Sequence, residues 1–109
     1  MARDYKILGQ VAPSATTMTE AYKVPAATKA IISTIVIANH AGSAGTFRLA
    51  ARPNADSLLQ KHYLAYDIPI AANDSTTLTL GVTLDSAELI EVYCSSGDMS
   101  VNIFGSEIS

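Results

Sequence analysis

The chain has 109 residues, a net charge of −3 at neutral pH, 49% hydrophobic residues and only 16% charged residues. This length predicts a single domain, and the acidic balance argues against nucleic-acid binding because phosphate recognition needs Lys and Arg gathered on one face. The longest apolar run, Ile35 to Ala38, is far shorter than the roughly 20 residues of a membrane-spanning helix, so no membrane partner is expected either.

Residues 1–17 are predicted to form an extended N-terminal arm ahead of a β-domain over residues 18–109. Asp4–Leu8 has the pattern of a short strand or extended segment, and Gly9–Thr17 contains Pro13 and small residues that interrupt regular structure. The charged beginning does not match the apolar core of a signal peptide, so export by that route is not expected. We expect the arm to order against a partner, and its removal to leave the β-domain folded.

Three strands are predicted next. Thr17–Val24 alternates along its length, and Lys29–Asn39 is rich in β-branched residues and apolar on both faces, which is typical of a central strand. The connection His40–Gly45 contains two glycines, and Thr46–Arg52 then resumes alternation. The strands on either side of this connection are predicted to form a hairpin.

The middle of the chain mixes one helical turn with strands. Ser57–Lys61 is the one place where a helical turn is expected, and His62–Ile70 is a strand whose Pro69 indicates a strand end or a sheet edge. Leu78–Leu84 alternates cleanly between apolar and polar residues and is predicted to be one amphipathic strand.

The last strands are predicted over Leu89–Cys94 and Met99–Phe104, with Ser95–Asp98 as the turn of a second hairpin. About eight short strands result, and turn signals recur at the spacing typical of an antiparallel β-sandwich or jelly-roll-like domain. The core is expected from the apolar positions of these strands, which are Ile35, Ile37, Phe47, Leu49, Leu78, Leu80, Ile90, Val92, Val101 and Ile103.

The histidines and the cysteine do not predict a reactive site. A metal centre usually needs three or four ligands, and His40 and His62 are better explained as surface or hydrogen-bonded side chains. Cys94 is the only cysteine, so it has no partner for an internal disulfide, and its position in a strand indicates a buried, inert thiol.

Six carboxylates could supply the acid and base of a glycosidase, which needs two of them at a defined separation in a cleft. Most lie in or beside turns, where such side chains cap backbone N–H groups. No Gly-x-Ser-x-Gly motif supports acyl transfer. We therefore expect no enzyme activity, no metal and no cofactor. The carboxylates concerned are Asp67, Asp74, Asp85, Glu88, Glu91 and Asp98.

Tyrosines supply the candidate contact residues. Tyr63 and Tyr66 are three apart, so on a regular strand they would face opposite sides, one in the core and one in a contact with another subunit. Stacking on a carbohydrate would use the same property of the exposed ring. The candidate subunit contacts are Tyr5, Ile7, Leu8, Tyr63 and Tyr66.

Four segments carry a resemblance to a known family. Tyr22–Ala26, Ser33–Asn39, His62–Ile70 and Phe104–Ile108 resemble small virion structural proteins of tailed bacteriophages, with cyanophages among the viruses expected to encode them. The resemblance covers most of the chain, but its motifs carry no chemical mechanism, so they indicate kinship better than role.

The resemblance implies a protein of the virion, assembled in the host cytoplasm. The favoured role is a capsid decoration or cement protein that bridges capsid subunits, with the major capsid protein or other virion proteins as partners. Because a small, charge-poor domain gains stability by burying surface between copies, a homo-oligomer is expected, and specifically a trimer. A component of the collar, baseplate or tail fibre is the alternative, and a carbohydrate-binding β-sandwich is a third.

Overall fold

The computed structural model describes residues 3–53, 57–79 and 81–109, which form short strands and one turn of 3-10 helix. The turn, Gln60–His62, overlaps the predicted helical turn Ser57–Lys61 at Gln60 and Lys61 and leads directly into the fifth strand. The strands are β1 Arg3–Val11, β2 Thr19–Lys23, β3 Lys29–Asn39, β4 Gly45–Pro53, β5 Tyr63–Ile70, β6 Ser75–Leu78, β7 Val82–Leu84, β8 Glu88–Cys94 and β9 Met99–Ile108.

The strands form two antiparallel sheets that pack face to face. Sheet A has the order β1-β9-β3-β6, with β7 pairing to the other end of β3, and sheet B has the order β2-β8-β4-β5. The predicted all-β antiparallel sandwich is therefore confirmed. Contacts between β1 and β2 put these two edge strands at the same margin of the sandwich, which leaves β5 at the opposite margin.

The inward faces of the strands form one hydrophobic core. Apolar side chains alternate with exposed ones as predicted, because successive residues of a strand point to opposite faces of its sheet. Of the residues expected in the core, Leu78 is half-buried against it, Leu80 lies outside the described residues, and the others are fully buried: Ile35, Ile37, Phe47, Leu49, Ile90, Val92, Val101 and Ile103.

Both predicted hairpins are wrong, because the chain crosses from one sheet to the other at each connection. β3 lies in sheet A and β4 in sheet B, and β8 lies in sheet B and β9 in sheet A. Alternation identifies the inward face of a strand but not its neighbour. The two crossings are tied together, since the Ser95 N–H donates to the Thr46 carbonyl and the His40 N–H donates to the Asp98 carbonyl.

Asn39 fixes the first of these crossings. Its side chain is 2% exposed, and Nδ2 donates to the carbonyl oxygens of Ser43, Ile70 and Ala71 at 3.0 to 3.3 Å. Its Oδ1 accepts the N–H of Ala41 at 3.0 Å. A buried amide with its hydrogen-bonding groups satisfied holds the end of β3 to the two loops beside it.

The predicted strand Leu78–Leu84 is divided into β6 and β7, which pair with different parts of β3. Gly81 lies between them with φ at +62°, a left-handed conformation that glycine adopts without steric cost. This break in the strand accounts for the ninth strand, since about eight were expected.

Most of the segment predicted as an N-terminal arm is a strand of the sandwich. β1 pairs with β9 from Arg3↔Ile108 to Val11↔Val101, with one bulge between Ile7 and Gly9. Beyond the bulge the two sheets touch, since a Cβ on Gly9 would lie 2.2 Å from the Ala21 carbonyl oxygen of β2. The second half of β1 therefore belongs to the packed body of the protein.

Candidate interaction surfaces

The first candidate surface lies on the outer face of sheet A and is called the sheet A surface below. It consists of Tyr5 and Ile7 on β1, Phe104 on β9 and Ile31 on β3. The register brings them together, because Ile7 lies opposite Phe104, while Tyr5 and Ile31 lie on either side of Ser106. Tyr5 is 77% exposed and Ile7 52% exposed, so large apolar groups face solvent here.

A groove of about 570 Å³ runs over the middle of the sheet A surface. Its lining includes Gly105, the small side chain of Ser106 and the apolar side chains of Tyr5, Ile7 and Ile31. Gly105 is required by the close approach of the strands, since a Cβ there would lie 2.1 Å from the Ile31 carbonyl oxygen. The groove can accept apolar side chains from another protein.

A carboxylate links three strands beneath the sheet A surface. Glu107 on β9 is 2.7 Å from Lys6 Nζ of β1 and accepts a 2.6 Å hydrogen bond from the hydroxyl of Tyr22 on β2. Hydrogen bonds from Lys6 and then Tyr22 lower the pKa of Glu107 below its ordinary value of 4.5. Burial, with the bond to Glu107, raises the pKa of Tyr22. Glu107 therefore links β1 to its neighbour β9 in sheet A and, through Tyr22, to β2 in sheet B.

The second candidate surface, the β5 surface, lies at the opposite margin of the sandwich. Leu64, Tyr66 and Ile68 of β5 are exposed, together with Leu59 just before the 3-10 turn. Tyr66 is 54% exposed. Exposed large apolar side chains in the described part of the chain are thus confined to these two surfaces: Tyr5, Ile7, Ile31, Leu59, Leu64, Tyr66 and Ile68.

Arg48 organises the aromatic part of the β5 surface. Its Nε lies 2.6 Å from Asp67 Oδ1 and its Nη2 lies 3.3 Å from Oδ2, a two-point contact that fits the guanidinium fork. The guanidinium carbon is 4.2 Å from the ring centre of Tyr66 and 4.5 Å from that of Tyr93. Cation–π and ion-pair contacts therefore hold Tyr66 in one position before any partner arrives.

The expectation that Tyr63 and Tyr66 face opposite sides is wrong, because β5 is irregular. Two register shifts against β4 occur between Tyr63 and Ile68, and Asp67 has φ at +51°. Extra residues at a bulge change which way the following side chains point. The two rings therefore meet, with centres 5.0 Å apart and planes at 86°. Rings set at this angle do not form the flat platform that sugar stacking uses.

The expected contact residues thus divide between two places. Tyr5 and Ile7 lie on the sheet A surface, and Tyr63 and Tyr66 lie on or beside the β5 surface. Leu8 is half-buried and packs against the core, so it is not an exposed contact residue.

Sequence reasoning missed Ile31, Phe104 and Arg48 as members of these surfaces. The alternation of Thr46–Arg52 places Arg48 on the face opposite Phe47, which is the outer face. The apolar residues on both faces of Lys29–Asn39 indicate that some of them, such as Ile31, lie on the outer face as well. Their neighbours come from distant strands, so no sequence pattern could identify the clusters.

The other chemical groups have structural environments. Cys94 is buried, and burial raises the pKa of its thiol to about 11, which keeps it protonated. His40 hydrogen-bonds Ser100, and His62 is buried and accepts the Leu59 N–H at Nδ1. Among the residues that the structure describes, no three His, Cys, Asp or Glu side chains are grouped to hold a metal ion.

Turn carboxylates act as expected in three cases, one of which is Glu88, whose Oε1 accepts the N–H of Asp85 at 2.7 Å. Asp74 accepts the N–H of Ser75 at 2.8 Å, and Asp85 accepts the N–H of Ser86 at 2.7 Å. Asp67 and Glu91 instead form ion pairs with Arg48 and Arg52. Within the described ranges, no helix is long and apolar enough to cross a membrane.

The chain matches no protein-family model and no curated protein sequence.

Proposed function

We propose that this chain is a structural protein of a bacteriophage virion that decorates the capsid and stabilises the head by bridging its subunits. The proposal is supported by the resemblance of four segments to small virion proteins and by the two exposed apolar surfaces. A bridging protein needs two contact areas that can be occupied at once, and this chain has two on different sheets.

The positions of the two surfaces carry the proposal. The sheet A surface includes the edge strand β1, and the β5 surface includes the edge strand at the opposite margin of the sandwich. A partner on one surface therefore leaves the other open. Monomeric proteins rarely expose apolar groups together in this way, and such groups mark contacts with other proteins.

The composition of the β5 surface favours a protein partner. Tyr and Arg are the residue types that contribute most to protein–protein binding, and here Arg48 already holds Tyr66 in place. The ion pair on this surface joins Arg48 to Asp67 of the same chain, so these charges are already neutralised. Burial of the apolar side chains would therefore contribute most to the binding of a partner. We assign this surface to the major capsid protein and the sheet A surface to a second copy of the chain.

Location on the particle is the direct test. Virions of the encoding phage are labelled with gold-conjugated antibodies against this chain and imaged by electron microscopy. Labelling over the head supports the proposal. Labelling at the collar, baseplate or tail fibres replaces it with that alternative, and absence from purified particles removes the virion assignment.

A binding test then addresses the β5 surface. Purified protein is added to heads from which it has been stripped, and the bound fraction is measured by sedimentation of the heads. Tyr66→Ser should weaken binding about tenfold or more, because hot-spot tyrosines carry much of an interface. Thr79→Ser, which changes an exposed residue that follows β6 of sheet A and so lies away from the β5 surface, should bind like the unaltered chain. Equal binding of the two variants would exclude the β5 surface as the capsid contact.

A further inference from the structure

The four sheet margins differ in how well they could accept another strand. Unpaired strand edges attract further strands, and proteins block them with bulges, prolines, short strands or charged side chains. β2 has five residues and a register shift, and β5 contains Pro69 and two shifts. The far margin of sheet A is divided into β6 and β7, of four and three residues. All three of these margins are therefore poor templates.

The first half of β1 contains no bulge and no proline, and its exposed charged residues include both signs, in Asp4 and Lys6. Residues 3–7 pair with β9 without a shift, and the bulge comes only after Ile7. Asp4, Tyr5, Lys6 and Ile7 are all exposed. In the described part of the chain, no strand lies on its outer side. A regular five-residue edge is thus available beside the sheet A surface.

We propose that two copies of the chain associate by antiparallel pairing of their β1 edges, which joins the two A sheets into one. This inference concerns how copies associate and stands whether or not the protein is part of a virion. A twofold axis perpendicular to the joined sheet leaves the same face of both copies pointing the same way. Residues directly opposite each other share a face, and successive residues alternate between faces, so the numbers of two paired residues must add up to an even number.

Axes at residues 4, 5 and 6 pair three or more of the five edge residues, and charge selects one of these three registers. With Asp4 opposite Asp4, or with Lys6 opposite Lys6, like charges would face each other across the axis, and like charges in direct opposition destabilise a sheet. With Tyr5 opposite Tyr5, each copy's Asp4 lies opposite the Lys6 of the other copy. Asp4 and Lys6 are both exposed and on the same face, opposite to that of Tyr5 and Ile7. The β1 edge is therefore complementary to itself in this register alone of the three.

The pairing also explains the exposed apolar groups beside the edge. It brings the two sheet A surfaces side by side, with the two Tyr5 rings at the axis and each Ile7 next to them. Aromatic pairs across neighbouring strands stabilise a sheet. The expected product is a twofold dimer, whereas the sequence alone led to the expectation of a trimer.

Cysteine cross-linking tests the register. At the axis, the Cα atoms of residue 5 lie within the distance that a disulfide spans, so Tyr5→Cys should form a disulfide-linked dimer under mild oxidation. Ile7→Cys is the matched control, because the two copies of residue 7 lie four residues apart along the paired strands. Cys94 is buried and does not compete. Cross-linking of neither variant, or of both equally, would overturn the proposed register.

Sedimentation equilibrium of the full chain tests the association itself. The unaltered protein should be a dimer whose dissociation constant rises about tenfold in Asp4→Lys, because that change sets like charges opposite each other twice. Asp98→Lys, the same charge change in the turn at the other end of β9, should leave the constant unchanged. A monomer at all concentrations, a trimer, or equal effects of the two variants would overturn the proposal.

Discussion

At the scale of single residues, the fold depends on a few polar side chains that join distant strands. Asn39 bonds two loops at the end of β3, and Glu107 joins β1, β2 and β9. Such groups are costly to bury unless every hydrogen bond is made, so each one specifies the arrangement around it.

Replacing Asn39 by Ala should reduce the free energy of unfolding by about 2–4 kcal/mol, since it leaves buried backbone groups without partners. Asn102→Ala is the control, because Asn102 makes one exposed hydrogen bond, to Gln10, and its loss should cost under about 1 kcal/mol. Urea unfolding curves measure both. Similar losses at the two positions would mean that Asn39 does not fix the crossing between sheets.

Glu107 predicts a dependence of stability on pH. Its pKa is lowered in the folded state, so its stabilising effect is present above the unfolded pKa, near 4.5, and is lost as the pH falls through the folded pKa. Glu107→Gln should therefore be less stable than the unaltered chain at pH 7, and the difference should shrink below about pH 4.5.

Urea midpoints across an acid pH series measure this difference. Glu20→Gln makes the same charge change on β2 and is the control. A difference between the unaltered chain and Glu107→Gln that stays constant down to the lowest pH would exclude an effect of the Glu107 charge.

At the scale of elements, β1 has two halves with different roles. Leu8 and Val11, in the second half, pack against the core, whereas Asp4 to Ile7 are exposed and pair with β9. The two halves meet at the bulge after Ile7. The sequence predicted that residues 1–17 can be removed without loss of the fold. Because β1 pairs within the sandwich, we now expect this only for the first half of the strand.

Deleting residues 1–7 should leave a folded monomer with a modestly lower melting temperature, because the core stays covered. Deleting residues 1–11 should cost several kcal/mol, since it also removes Leu8 and Val11 from the core and uncovers the rest of the β9 edge, of which the shorter deletion uncovers only Phe104–Ile108. Circular dichroism and light scattering distinguish a folded chain from an aggregated one. If both deletions melt at the same temperature, the second half of β1 does not contribute to the core.

At the scale of the whole molecule, the proposed self-association uses the sheet A surface, whereas the proposed binding of another protein uses the β5 surface. The two can therefore be altered independently. Association stabilises the folded chain by mass action, so its melting temperature should rise with protein concentration. Ile7→Ser should weaken this rise because it alters the sheet A surface, whereas Tyr66→Ser should leave it intact. Calorimetry over a wide concentration range measures the effect, and a melting temperature independent of concentration would argue against any self-association.

The amino-acid sequence by itself determined the strand content, the inward faces and the sandwich class. Alternation is a local property, so Lys29–Asn39 was predicted with the bounds of β3, and Ile35 and Phe47 were assigned correctly to the core. Only the tertiary structure decided which strands are neighbours, because hydrogen bonds between distant loops carry the chain from one sheet to the other. It also decided the two surfaces, since Arg48 meets Tyr66 through a bulge that alternation does not predict.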